Sequence, residues 1–338
     1  MLLIKKIIVP FIKKVRLKKV NIDDRFIKER QLGQGSMSEV WRCKDKLSGR
    51  IVALKVLDRE KTERLEARFE GLNRPTEGEV ALKLRHPHIV RTLEHGFTTN
   101  YEQYLVMEYI NGVSLTLPVA LQNELMQTHR LKFMVEMGEG REYFHKQGWI
   151  HRDLCPRNVL VDKHNSIKLI DFGLVVPNTP PFRAPGNRTA TDSYMAPELI
   201  KRMPTDQRID VYSYAVSCFE MYTKRLPHDV DPTLTLDMVV QHINRPPTDI
   251  RELVPDIDDE VASTIMKGIA ANPDERWGSV SAMLQRFRAA QERLEPESEY
   301  EYVDDDEAAE ADDEYEYEYE EEEAEADDDE WEYEYEDE

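Results

Sequence analysis

The spacing of hydrophobic positions changes along this chain. From about Phe26 to Leu57 it is strand-like: two apolar-rich runs flank "LGQGSMSEV", and "GRIVALKVL" follows with β-branched alternation. Beyond Arg59 the pattern turns helical as far as "HPHIV", and a short strand is predicted around Tyr104–Glu108. From Leu131 onward the reading is mainly helical, broken by loops at His151–Asn158 and Asp171–Pro197, with a last helix over Val280–Leu294. A small β-rich lobe followed by a larger helical lobe is expected, an α+β arrangement.

Both ends depart from this pattern. In Met1–Val20, Ile4, Ile7, Ile8, Phe11, Ile12 and Val15 fall at helical spacing among Lys5, Lys6, Lys13, Lys14, Arg16, Lys18 and Lys19; Pro10 would kink or stop such a helix. Lys5 and Lys6 break the apolar run and no small-residue cleavage site follows, so a signal peptide is disfavoured. Three readings of this basic extension (1–25) stay open. It packs on the domain, it binds a membrane surface or partner as a basic helix, or it pairs with the acidic tail. The tail, 295–338, holds 28 Asp+Glu in 44 residues and neither Lys nor Arg. Its like charges repel and it has little to bury, so it is expected to be disordered.

The tail also decides how the net charge is read. The chain is formally −22, yet without the tail 45 Lys+Arg face 39 Asp+Glu, about +6. The acidity belongs to the extension, which makes nucleic acid an unexpected ligand for it. A basic partner protein, the domain's own substrate groove and simple solvation are its open readings. Three scattered cysteines, Cys43, Cys155 and Cys218, argue against a disulfide framework and suit a reducing cytosol. No apolar run reaches the ~20 residues of a bilayer-spanning helix. A cytoplasmic protein is expected, with contact at the inner membrane surface through the N-terminus left open.

The candidate chemistry lies in the middle, 26–294. Gly33-Gln34-Gly35-Ser36-Met37-Ser38-Glu39-Val40 follows a predicted strand, and its glycines let backbone N–H groups close over phosphates. A strand, not a helix, follows it, which separates it from the dinucleotide fingerprint. "VALK" then places Lys55 on an apolar strand, where an ammonium is costly unless paired. Glu77, on a helical stretch, is the first candidate partner and Glu79 the competitor; an exposed, unpaired Lys55 is the alternative. His151-Arg152-Asp153 precedes Asn158, and Asp171-Phe172-Gly173 comes later. Phosphoryl transfer needs a carboxylate to take a hydroxyl proton, which suits Asp153, and oxygen ligands for Mg²⁺, which suits Asn158 and Asp171.

This ordered set resembles the eukaryotic-type (Hanks-type) protein kinases, over roughly Phe26 to Gln291. The resemblance implies a bilobal protein-kinase fold and phosphate transfer from ATP, with Mg²⁺, to protein substrates. It implies that Leu32, Gly33, Gly35, Val40, Ala53, Lys55, Glu77, Glu108, Ile110 and Leu160 bind the nucleotide. "YLVMEYINGVSL" resembles the hinge between the lobes, with Met107 as gatekeeper. "YMAPE" supplies Glu198, which in this family pairs with the arginine found here as Arg276 in "NPDERW". Asp210 in "IDVYSYAV" resembles the residue that anchors the catalytic loop, although Ala215 stands where Gly is usual.

Inside "IHRDLCPRNVLV" the resemblance departs from the Ser/Thr form. Cys155 stands where a lysine usually neutralises the transferred phosphate, and Arg157 stands where many tyrosine kinases carry the replacing cation. Arg157 is therefore expected to be a relocated catalytic cation; an arginine pointing to solvent is the alternative. "RTATDSYMAPE" resembles the Ser/Thr form, with Thr191 set to contact Asp153, so Ser/Thr specificity is expected. The rival from another class is a pseudokinase scaffold that binds nucleotide or partners. Thr189 is the first candidate for an activating phosphosite docking on Arg152, with Ser193 and Thr191 behind it; a plain loop residue is the alternative. Cys155 is either a partly exposed thiol with a lowered pKa or a small apolar filler. The "HRDLCPRN" form favours a bacterial member.

Overall fold

The computed structural model describes residues 19–35, 37–185, 191–228 and 246–294. The helical pattern of 1–18, Thr189 and the acidic tail lie outside the described residues. Among the described residues no helix is long and apolar enough to cross a membrane.

The N-terminal lobe is a five-stranded antiparallel sheet in the order β1-β2-β3-β5-β4, built from β1 (Phe26–Gln34), β2 (Ser38–Asp45), β3 (Ile51–Leu57), β4 (Thr92–Phe97) and β5 (Gln103–Glu108). Alternation along β3 decides which side chains reach the cleft. Val52 and Leu54 join Phe26, Cys43, Tyr104 and Val106 in a cluster on the outer face, with Val56 packed against it. Ala53 and Leu57 point the other way into the main core. Lys55 shares that second face, so strand period alone carries its ammonium inward.

The helix expected after Arg59 is broken in two. Arg59–Ala67 is helical, a turn region follows, and a five-residue helix, Glu77–Ala81, resumes. The interruption is local chemistry: Gly71 (φ 78°) and Asn73 (φ 51°) are left-handed, and Pro75 follows. The second helix restarts on a capping box. The Thr76 hydroxyl accepts from Glu79 N at 3.3 Å, and Glu79 Oε2 accepts from Thr76 N at 2.9 Å.

The C-terminal lobe is helical. Glu124–Lys146, capped by Asn123, packs against Arg208–Thr223 and Val280–Leu294, the last with the bounds its periodicity predicts. The methyl of Ala215 is accommodated by Gly268 opposite, where an added Cβ would stand 2.5 Å from that of Ala215. Arg276 and Glu198 form a buried two-pronged pair, both contacts 2.7 Å. Between the lobes, Val159–Asp162 pairs with Gly112–Ser114 and Ile167–Leu169, and Trp149–Ile150 pairs with Val176–Pro177. These short ladders hold both ends of the segments that carry Asp153 and Asp171.

Candidate active site

Lys55 Nζ donates to Glu77 Oε1 at 2.8 Å and to Asp171 Oδ1 at 2.9 Å. Glu79, the competing partner, spends its carboxylate on the capping box, so the restart of the helix at Thr76 decides which glutamate faces the lysine. Burial by itself would lower the Lys55 pKa; the carboxylates of Asp171 and Glu77 outweigh it and hold the ammonium above its usual value. Burial pushes the Glu77 carboxyl up, and Lys55 opposes it only in part. Asp171 lies below the usual range because Lys55 outweighs its burial. Glu77 Oε1 also accepts from Phe172 N at 3.3 Å, and Asp171 Oδ1 from Gly173 N at 3.1 Å. The Phe172 ring is buried against Phe144 and His151, centroids 5.4 and 5.9 Å apart.

The loop bearing Asp153 hangs from Asp210, which is fully buried. Its carboxylate accepts the N–H groups of His151 and Arg152 at 2.8 and 2.9 Å. Arg141 Nη1 and His145 Nε2 lie 3.2 and 2.9 Å from the same carboxylate. Burial would raise its pKa, but Arg141 and His145 outweigh that and hold it far below the usual range. Arg152 takes a left-handed φ of 74°, so these two amide bonds support a conformation that a non-glycine residue adopts at a cost. Arg141 and His145 were not singled out in the sequence. Their signal was there: they are four apart on one helix and so share a face.

From Ile150 to Val161 every residue is buried or half-buried except Arg157. Thr191 donates to Asp153 Oδ1 through its hydroxyl at 2.5 Å and its amide at 3.0 Å. Asn158 Nδ2 donates to Asp153 Oδ2 and to the Asp153 carbonyl, both at 2.9 Å. Arg157 donates to the Thr191 hydroxyl and stands 3.9 Å from Asp153 Oδ2. Cys155 corrects one of its two readings. It is 1% exposed, and burial, with Asp153 adding to it, pushes its thiol up to about 12. It is an apolar filler, not a reactive thiol.

A cleft of about 520 Å³ runs past Gly35, Lys55, Glu77, Asp153, Asn158 and Asp171, with Arg157 and Thr191 at its edge. Thus Gly35, Lys55, Glu77, Asp153, Asn158 and Asp171, all expected at the site, come together. Val40, Ala53, Ile110 and Leu160 are not among those that wall this cleft; Val40 and Ala53 sit on β2 and β3, and Leu160 on the Val159–Asp162 strand. Leu32 and Gly33 lie exposed near the end of β1. The Glu108 carboxylate accepts from Arg91 N at 2.8 Å and from Lys168 Nζ at 3.2 Å. The Glu108 N–H donates to the Arg91 carbonyl at 2.9 Å, so its side chain and its amide are both engaged within the fold.

The donor set fits a hard divalent cation. Asn158 gives its amide nitrogen to Asp153, and Lys55 and Gly173 occupy Asp171 Oδ1. Among the described residues no hydrogen bond takes Asn158 Oδ1 or Asp171 Oδ2, two oxygens of the kind Mg²⁺ prefers.

Comparison with known proteins agrees with this geometry. Residues 26–287 match the family model described as a protein kinase domain. A probable serine/threonine-protein kinase of Clostridium acetobutylicum is 27% identical over 267 residues, 79% of this chain and 40% of the relative. One from Bifidobacterium longum is 30% identical over 258 residues, 75% of this chain and 33% of the relative. The human hormonally up-regulated neu tumor-associated kinase is 32% identical over 238 residues, 68% of this chain and 32% of the relative. The chain spans about a third to two fifths of the length of these relatives.

Proposed function

Since the chain belongs to the protein kinase domain family, we propose that it transfers the γ-phosphate of ATP to serine or threonine hydroxyls of protein substrates. One observation carries the reading: Lys55 is held between Glu77 and Asp171 while Asp153, Asn158 and Thr191 converge on the other side of the same cleft.

Lys55 neutralises phosphate oxygens and is kept charged by its two carboxylates. Asp153 accepts the proton of the incoming hydroxyl; a carboxylate has about four lone-pair directions, so its bonds to Thr191 and Asn158 orient it without exhausting it. Arg157, the exposed cation of the loop, neutralises the transferred phosphoryl group in place of the absent lysine. Asn158 and Asp171 would hold Mg²⁺, which when bound neutralises charge on the phosphate oxygens. The turn carrying Gly33 and Gly35 lies over the phosphates, although the Gly35 N–H donates to the Ser38 carbonyl at 2.9 Å, and Leu32, Val40, Ala53, Ile110 and Leu160 offer apolar surface to the base. The Thr191–Asp153 contact supports Ser/Thr specificity, because that threonine stands in the Ser/Thr form of the segment. Phosphorylation at Thr189, a basic partner for the acidic tail and a membrane contact for the basic N-terminus belong to the same proposal.

Transfer of radiolabelled phosphate from ATP to a general protein substrate tests it, with Asp153→Asn beside the wild type. Label is expected in the wild type and lost by several orders of magnitude in the variant. Label absent from both, or equal in both, rejects the enzyme.

A further inference from the structure

Arg74 lies in the turn region between the two short N-lobe helices, three residues before Glu77. Its guanidinium crosses to the segment that follows Asp171. Nε donates to the Val175 carbonyl at 3.1 Å, and Nη2 donates to the Gly173 carbonyl. The same group lies 4.9 Å over the Phe69 ring, and Phe69 packs on Phe182 with centroids 6.1 Å apart. Glu77 meanwhile takes the Phe172 N–H. One short stretch of chain therefore grips Phe172–Val175 by both its donors and its acceptors.

Two features make this more than a surface bond. Asp171 has a left-handed φ of 65°, a conformation a non-glycine residue keeps only when its surroundings hold it. Burial pulls the Arg74 pKa down, with Glu77 opposing, so placing this cation here is costly. Two of its donors go to main-chain carbonyls, and a planar fork can span two carbonyls where an ammonium serves as a single point charge.

We infer that Arg74 is a positioning residue that holds Gly173 and Val175, and through them fixes the Asp171 carboxylate against Lys55. The consequence for catalysis rests on the proposed phosphotransfer; the tether itself does not. Loss of Arg74 frees the segment and misplaces Asp171, which lowers kcat and leaves the KM for a peptide substrate unchanged.

The experiment compares Arg74→Met, which keeps the apolar stem, and Arg74→Lys, which keeps the charge, with wild type and the exposed Arg64→Ala control. Amide hydrogen exchange is read in the nucleotide-free protein. The amides of Phe172, Gly173 and Val175 are expected to exchange about ten-fold faster or more in Arg74→Met. The shift is smaller in Arg74→Lys, and amides of the Glu124–Lys146 helix are unchanged in both, which shows the fold intact. kcat should fall about ten- to hundred-fold in Arg74→Met, with partial recovery in Arg74→Lys. Wild-type protection of the three amides in both variants overturns the tether. Faster exchange with wild-type kcat overturns the positioning role. If the wild type transfers no phosphate, the function proposal fails, while exchange still decides whether Arg74 holds the segment.

Discussion

Lys55 and Glu77 meet at 2.8 Å from a strand and a helix that share no hydrogen-bonded ladder, and the distance exists because the helix restarts at Thr76 and not a turn earlier. The two neighbouring glutamates should therefore separate cleanly. Glu77→Gln removes the charge that balances a buried ammonium and should lower kcat/KM for ATP by about 10²-fold. Glu79→Gln disturbs only the capping box, costing at most ~1 kcal/mol of stability with activity retained. Steady-state kinetics of the pair decide it; equal losses of activity would contradict the assignment.

Arg157 is 60% exposed and touches Thr191 and Asp153, so it has little to do with stability and much with charge at the cleft. Arg157→Ala should leave the denaturation midpoint within about 0.5 kcal/mol of wild type and lower kcat about 10²-fold. Cys155→Lys in the Arg157→Ala background should recover much of the lost rate. Full activity of Arg157→Ala alone would show that the cation has not moved.

The Arg276–Glu198 pair is almost wholly buried, at 0% and 4% side-chain exposure. Glu198→Ala leaves a buried guanidinium without its carboxylate and should cost about 3–5 kcal/mol. Urea denaturation followed by tryptophan fluorescence measures it. A loss under ~1 kcal/mol would mean that the carbonyls of Ala270 and Ala271, which also accept from Arg276, suffice.

His151 gives a pH dependence with a definite sign. Burial, with Arg141 adding to it, pulls its pKa down to about 3. An unfolded histidine takes its proton near pH ~6.5. Between those values the unfolded state binds more protons, so stability falls as pH drops from about 6.5 toward 3. His151→Phe keeps a ring against Phe144 and Phe172 and should flatten that limb by up to ~1.4 kcal/mol per pH unit. His86, whose pKa burial also lowers, leaves a residual slope. Urea midpoints at pH 6.5, 5.5 and 4.5 test this; parallel profiles for the two proteins would refute it.

Strand alternation placed Lys55, and an ordered run of motifs marked Asp153, Asn158 and Asp171 in the loop regions, because each of these signals is local. The long helix expected beyond Arg59 failed for a local reason that was also on view, in Gly71, Asn73 and Pro75; the apolar period outweighed the breakers in the reading. The spacing of Arg141 and His145 puts them on one helix face, and Arg74 lies in a turn, but neither signal says which distant group the side chain will meet.

Sequence by itself determined the order of the two lobes and the family resemblance, and it named the acid, amide and lysine that the proposed function uses. Those follow from side-chain period and from the few residue types that phosphate chemistry accepts. Tertiary structure alone decided that Glu77 and not Glu79 meets Lys55, that Cys155 is sealed while Arg157 stays open, and that Asp210 gathers Arg141, His145 and two backbone amides under the loop. The first two are choices between near-equivalent neighbours two residues apart, and the third joins segments far apart in the chain. Burial and distance make that choice, and both are set by how distant segments pack.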